Sequence, residues 1–164
     1  MNTSAVASNS NRTEQPIRGG KYLTLKLGNE EYGLPILSVQ EIIRMTPITK
    51  IPRTPDFLRG LINIRGRVIP VVDLRLRFGL PELKETEKTC IVVTQVQHEG
   101  ALVTIGAIVD EVSEVVDIPD AAIEITPLLN TQVDTAFILG IAKGKTGIRI
   151  LLDIDKVLTH KQMS

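Results

Sequence analysis

The chain of 164 residues has no tryptophan, two tyrosines and three phenylalanines. Barrels that hold single-stranded nucleic acid stack bases on exposed aromatics inside a basic channel, and this sequence is poor in both. Nor does one sign of charge dominate: 19 Lys and Arg balance 19 Asp and Glu, so no net field draws the molecule to nucleic acid or an anionic membrane. The single cysteine, Cys90, excludes an internal disulfide and fits a reducing compartment. The two histidines, His98 and His160, have no clustered partners in sequence, and zinc sites and nucleophile pairs need several convergent groups. No run of about 18 apolar residues is present to span a bilayer. The polar start, MNTSAVASNSNRTEQP, lacks the apolar segment of a signal peptide. Residues 1–19 therefore read as a disordered tail, and the protein as cytoplasmic.

What is abundant is aliphatic. Hydrophobic residues make up 43% of the chain, mostly Val, Ile and Leu, which suit pleated sheets. Residues 21–27, KYLTLKL, alternate as a half-buried strand does, with Leu23, Leu25 and Leu27 on one side and Tyr22, Thr24 and Lys26 on the other. GNE then turns the chain into EYGL as a hairpin, which Pro35 ends because it has no N–H to pair. ILSVQEIIRM, 36–45, fits a helical turn or a strand. TPDFLRG, 54–60, predicts one helical turn stopped by Gly60. LINI and VIPVVDL flank Arg65-Gly66-Arg67 as a second hairpin. PELKETEK is a charged connection. Residues 90–97 and 101–112 predict a third hairpin and 137–154 a fourth, turning near Gly144, with a short C-terminal helix capped by Asp153. Short strands at this spacing, separated by glycine turns, point to small barrels.

The chain also resembles itself. Phe57-Leu58-Arg59-Gly60-Leu61 is matched 80 positions on by Phe137-Ile138-Leu139-Gly140-Ile141, and Val72-Asp73-Leu74 by Leu152-Asp153-Ile154. Between them lie Arg65-Gly66-Arg67 and Lys143-Gly144-Lys145. Val39-Gln40-Glu41-Ile42 has a looser counterpart 73 positions on in Val112-Ser113-Glu114-Val115, which requires a longer connection in the second copy, around LLNTQVDT. The alternative is chance likeness among apolar β-segments. A true repeat implies two similar small barrels packed together, since lobes of this size are marginal alone.

Motifs of catalysis are missing. Gly144-Lys145-Thr146 lacks the earlier glycine of a phosphate loop, whose place is held by Leu139, and a strand rather than a helix follows it. Asp110, Glu111, Glu114 and Asp117 read as the solvated edge of a strand. Cys90 opens an apolar strand as a small hydrophobe.

EEYGLPILSVQEII, ITKIPRTPDFLRGLINIRGRVIPVVDLRLRFG and GAIVDEVSEVVDI together resemble the CheW family of chemotaxis coupling proteins, over roughly residues 20–158. The resemblance implies a mainly β fold: two small SH3-like five-stranded β-barrels packed side by side with a groove between them, plus a short C-terminal helix. Residues 20–160 would form this CheW-like domain, as two intertwined subdomains with exchange of strands near 68–75 and 148–158. It implies no enzymatic activity and no cofactor. The implied partners are the cytoplasmic tip of a methyl-accepting chemotaxis receptor and the regulatory domain of a CheA-type histidine kinase, with further CheW copies packing barrel against barrel in rings, and recruitment to receptor arrays at the inner membrane. Neither nucleic acid nor membrane insertion is implied.

The family's receptor-contact positions fall here on Val39, Glu41, Ile42, Arg59, Gly60, Arg65, Cys90 and Gly106; Cys90 replaces a usual aliphatic residue. Kinase contact is placed on an exposed apolar stretch at Met45, Ile48 and Ile51. An apolar groove can take a helix face, and a rim cation such as Arg65 sets orientation and encounter rate, whereas Arg67 reads as a soluble hairpin tip. Simple alternation lets only one of Val39 and Ile42 face inward; the sequence leaves open which. Two rival functions stand beside the adaptor: coupling in another chemosensory pathway (pili, surface motility or development), and a small ligand-binding β-barrel, which would need convergent titratable groups in a pocket.

Overall fold

The computed structural model describes residues 18–125, 135–144 and 147–159. The expected tail up to residue 17, the longer connection around LLNTQVDT up to residue 134, Lys145 and His160 lie outside the described residues. Ten strands make up the fold: β1 Gly20–Leu27, β2 Glu30–Pro35, β3 Val39–Arg44, β4 Leu58–Ile64, β5 Arg67–Asp73, β6 Cys90–His98, β7 Ala101–Val109, β8 Glu111–Ile118, β9 Ile138–Lys143 and β10 Ile148–Leu152. Two short helices follow β5 and β10: α1 Leu74–Arg77 and α2 Ile154–Thr159.

The strands form two five-stranded SH3-like barrels. The first has the order β8-β1-β2-β10-β9 and the second β3-β6-β7-β5-β4. Strands β1 to β5 correspond in order and pairing to β6 to β10, so the internal repeat is present in the fold. Each barrel draws two strands from one half of the chain and three from the other. Parallel pairs stitch the halves together: Val71 opposes Gly106 between β5 and β7, and Ile150 opposes Tyr32 between β10 and β2. The Asp73 amide donates to the Phe57 carbonyl at 2.7 Å, and 80 residues later Asp153 donates to Phe137 at 2.8 Å. Thr49 pairs with Leu61, and Glu124 with Ile141, as isolated bridges.

Three clusters divide the apolar core. Ile62, Ile69, Val71, Ile91, Val93 and Ile108 fill the second barrel. Tyr22, Ile118, Ala142 and Leu151 fill the first. The largest cluster takes Leu23, Leu25, Leu27 and Leu34 from one barrel, and Val92, Val96, Ile105, Ala107 and Val109 from the other, closed by Phe137, Leu152, Ile154 and Val157. It is the seam between the barrels. The space between the barrels is filled by the molecule's own side chains.

This seam corrects the reading of β1 as half-buried. Tyr22 to Leu25 are all buried, because odd positions face the other barrel while Tyr22 points into its own. The ambiguous segment 36–45 is both things in turn, a 3-10 turn at Ile36–Ser38 and then β3. The helical turn expected over 54–60 is instead a single hydrogen-bonded turn, with the Leu58 amide donating to the Pro55 carbonyl at 3.0 Å, that leads into β4. Gly60 stops no helix: it sits in the strand beside a register shift, at φ +143°, where a β-carbon would lie 2.1 Å from the Thr49 carbonyl oxygen. Residues 101–112 break at Asp110 into β7 and β8, which belong to different barrels.

Candidate functional site

Strand β3 lies at an edge of the second barrel and pairs with β6 alone. Its register slips by one residue between Val39, opposite Thr94, and Glu41, opposite Val93. Such a bulge reverses the alternation of faces that a regular strand imposes. Ile42 is opposite Val92, a seam residue, and Val39 packs against the same cluster. Val39 and Ile42 thus share the seam face, which dissolves the conflict that simple alternation creates. Val39 is half-buried, and Ile42, farther along, is 45% exposed. Glu41 and Ile43 point to the other face, with Ile43 against the barrel interior.

The β4–β5 hairpin closes on a two-residue turn with positive φ at both centres, Arg65 at 51° and Gly66 at 86°. Turns of this twist match the twist of the flanking strands. The Gly66 amide donates to Asn63 Oδ1 at 2.9 Å, which holds the turn. The hairpin carries Arg65 to Glu41, 24 positions away in sequence, and the two form an ion pair through Nη2 and Oε2. The hydrogen bond to Glu41 raises the Arg65 pKa further above the ordinary guanidinium value. Because Arg65 is 71% exposed, water competes with this pair, and its charges stay readable from outside. Arg67, expected to be a bare soluble tip, donates from Nη2 to Thr104 Oγ1 at 2.9 Å.

Other candidate contacts sit elsewhere. Gly106 is buried inside the second barrel, where a β-carbon would be 2.8 Å from the Ile91 side chain, so the absence of a side chain there serves packing. Gly60 is likewise buried against Thr49. Arg59 donates from Nη1 to Asp73 Oδ2 at 2.9 Å, while Asp73 caps α1 by accepting from the amides of Arg75 and Leu76, so Arg59 is committed to holding a helix start. Cys90 packs half-buried beside the seam, and burial pushes its thiol pKa up, which keeps it protonated and inert. Met45 and Ile48, expected in an exposed apolar stretch, are half-buried and close the end of the second barrel's core; Ile51 is half-buried as well. Asp110 is no solvated edge: it accepts from Arg75 Nη1 at 2.7 Å and from the Gly28 amide at 2.6 Å.

The recess behind the hairpin, among Glu41, Ile64, Arg65 and Thr104, holds about 20 Å³, room for a single water. Two open clefts of about 520 and 490 Å³ flank Arg59, and the charges at the second include two ion pairs, Arg59 with Asp73 and Arg75 with Asp110. Among the described residues no cluster of His, Cys, Asp and Glu is arranged to hold a metal, and no helix is long and apolar enough to cross a membrane. The sequence pointed to Glu41 and Arg65 separately; that they pair is a product of hairpin geometry, and the bulge at Gln40 has no sequence signal.

The fold has counterparts. The CheW-like domain model matches residues 21–162. The chain is 34% identical over 146 residues to the chemotaxis protein CheW of Klebsiella aerogenes, covering 89% of this chain and 86% of that protein. It is 32% identical over 143 residues to the protein FrzA of Myxococcus xanthus, covering 84% of each. The crystal structure of the scaffolding protein TtCheW from Thermoanaerobacter tengcongensis superposes with a TM-score of 0.76 at 36% identity, covering 90% of this chain and 97% of that one. With two interlocked barrels, a packed seam and an exposed acid–arginine pair at its edge, the chain belongs to the CheW family of non-enzymatic chemotaxis scaffolds.

Proposed function

We propose that this chain is an adaptor that docks the helical cytoplasmic tip of a chemoreceptor on the face formed by Val39, Glu41, Ile42 and Arg65, and joins it to the regulatory domain of a CheA-type kinase in arrays at the inner membrane. The observation that carries this is the bulge in β3. It places Val39 and Ile42 on one seam-facing side and leaves Glu41 to pair with Arg65 beside them. An apolar stripe with a charge of each sign at its edge suits an amphipathic helix, the stripe supplying buried area and the charges its register. Cys90 extends the stripe from the neighbouring strand, opposite Arg44. The kinase domain, or a further copy of a CheW-like chain, docks on the second barrel's end, where Met45 and Ile48 stand next to a shallow apolar notch lined by Pro47, Leu61 and Val68.

Titration of the labelled protein with a receptor-tip helical hairpin and, separately, with a kinase regulatory domain tests this. Two footprints are expected, the first over 39–42 and 65, the second over 45–51. The Arg65→Glu variant should lose the first and keep the second. A receptor footprint unchanged in that variant would count against the docking face. FrzA of Myxococcus xanthus, a similar chain under a different name, supports a second reading, the same coupling chemistry in another chemosensory system. Repeating the titration with receptor tips from each pathway separates the two.

A further inference from the structure

Leu37 is 96% exposed, more than any other large hydrophobic residue described. It sits in the middle of the 3-10 turn Ile36–Ser38, where the chain crosses from β2 in the first barrel to β3 in the second. The turn lies against β1 and β6, the strands whose facing residues fill the seam. Ile36 and Val39, on either side, pack against that seam. The backbone is therefore anchored while the leucine is held out in water.

The repeat supplies a control. The corresponding crossover in the second half leads from Val109 into Glu111, and Asp110 stands 73 positions after Leu37. Asp110 carries the fold, tying Arg75 and the Gly28 amide to the crossover. At Leu37 a large apolar side chain occupies the equivalent place with almost its whole surface in solvent, where a polar residue would leave the turn equally well formed. Exposed leucine gives back the burial free energy that such a side chain can supply, and it regains it only when something covers it.

We infer that Leu37 is a partner-contact residue, the third apolar point of the docking face after Val39 and Ile42. The inference rests on the receptor docking proposed above and extends it across the crossover between the barrels. Leu37 and Ile42 stand five positions apart, at most about 17 Å at full extension, which corresponds to about three turns of a partner helix. A helix with an apolar stripe reaches all three points, while Glu41 and Arg65 at the far end select a polar flank carrying both signs. A protein helix rather than a lipid surface is the occupant, because the polar residues next to Leu37 along the chain, Ser38, Gln40 and Glu41, include no cation to meet anionic headgroups.

The test uses the full chain as wild type and as Leu37→Ser, Ile42→Ser and Arg65→Glu, each titrated with a receptor-tip helical hairpin and checked for an unchanged unfolding midpoint. The expected result is perturbation of the amides from 36 to 42 in the wild type, and about tenfold weaker binding in L37S. Wild-type affinity in L37S, alongside weakened I42S and R65E, overturns the inference and leaves the docking face standing. No perturbation of the wild type at 36–42 overturns both. A change in L37S confined to self-association in sedimentation makes the occupant a second copy and also overturns it.

Discussion

The two barrels follow one plan and are finished differently. At positions 80 apart, the second barrel carries Ile62, Ile69 and Val71 where the first carries Ala142, Arg149 and Leu151. Ile69 is part of an all-aliphatic interior. Arg149 is nearly buried and is neutralised by Glu31, whose Oε1 lies 3.0 Å from Nε, with Glu114 at 3.8 Å. Asp73 is held by Arg59, but the counterpart of Arg59 beside Asp153 is Leu139, and burial raises the Asp153 pKa. Arg77 is matched by Val157 80 positions on, and the two meet: the Arg77 guanidinium lies 4.6 Å from the Phe57 ring centroid and 5.0 Å from that of Phe137, and its Nε donates to the Val157 carbonyl at 2.7 Å. The comparison teaches that a duplicated scaffold can hold its strand pairing while exchanging apolar for charged side chains, provided each buried charge finds a partner.

The contrast between Phe57 and Phe137 can be broken most visibly. Phe137 is 2% exposed in the seam cluster, whereas Phe57 is only half-buried. Phe137→Ala should cost about 3–5 kcal/mol, and Phe57→Ala clearly less, in urea unfolding; equal losses would mean that the halves are energetically interchangeable. Next come the two strand glycines. Gly60→Ala places a β-carbon 2.1 Å from a backbone oxygen at positive φ, while at Gly140 the nearest obstacle is the Ile123 side chain at 2.4 Å, which can move more readily. We expect about 3 kcal/mol for Gly60→Ala and a smaller loss for Gly140→Ala, again from unfolding midpoints.

The smallest effect concerns the unpaired capping aspartate. Burial disfavours the Asp153 carboxylate, so the folded chain keeps that proton to higher pH than the unfolded chain does. Its contribution to stability is greatest in acid and declines as pH rises above ~3.9, the ordinary aspartate value. Asp153→Asn should flatten that part of the pH–stability curve in denaturant titrations between acid and neutral pH, and an unaltered curve would show that the site is better solvated than its surroundings suggest.

Much of this was legible in the sequence. The 80-residue offset, the glycine hairpins and the Asp153 cap are local signals, each tied to backbone chemistry at a few positions. Three things were hidden because they depend on distant strands. Alternation in KYLTLKL gave no warning that Tyr22 and Thr24 are buried too, since burying both faces of a strand takes its own barrel on one side and a second barrel on the other. Gly60 was mistaken for a helix stop because positive φ serves both a helix end and a crowded strand. The sequence around Gly106 did not show that the Ile91 and Val71 side chains leave no room for a β-carbon there. For the candidate face, residue types were readable, but the slip at Gln40 that turns Val39 and Ile42 the same way is a property of pairing with β6 and appears in neither strand alone.

The mixed parentage of each barrel, two strands from one half and three from the other, has a consequence for dissection. No cut near the middle of the chain releases a complete lobe, because either fragment carries open sheets that only its sister can finish. A protein divided there would recover by complementation rather than by independent refolding. A single half doubled as a homodimer would find in its twin the strands it lacks, an exchange of arms that the present chain has made permanent by joining both halves end to end.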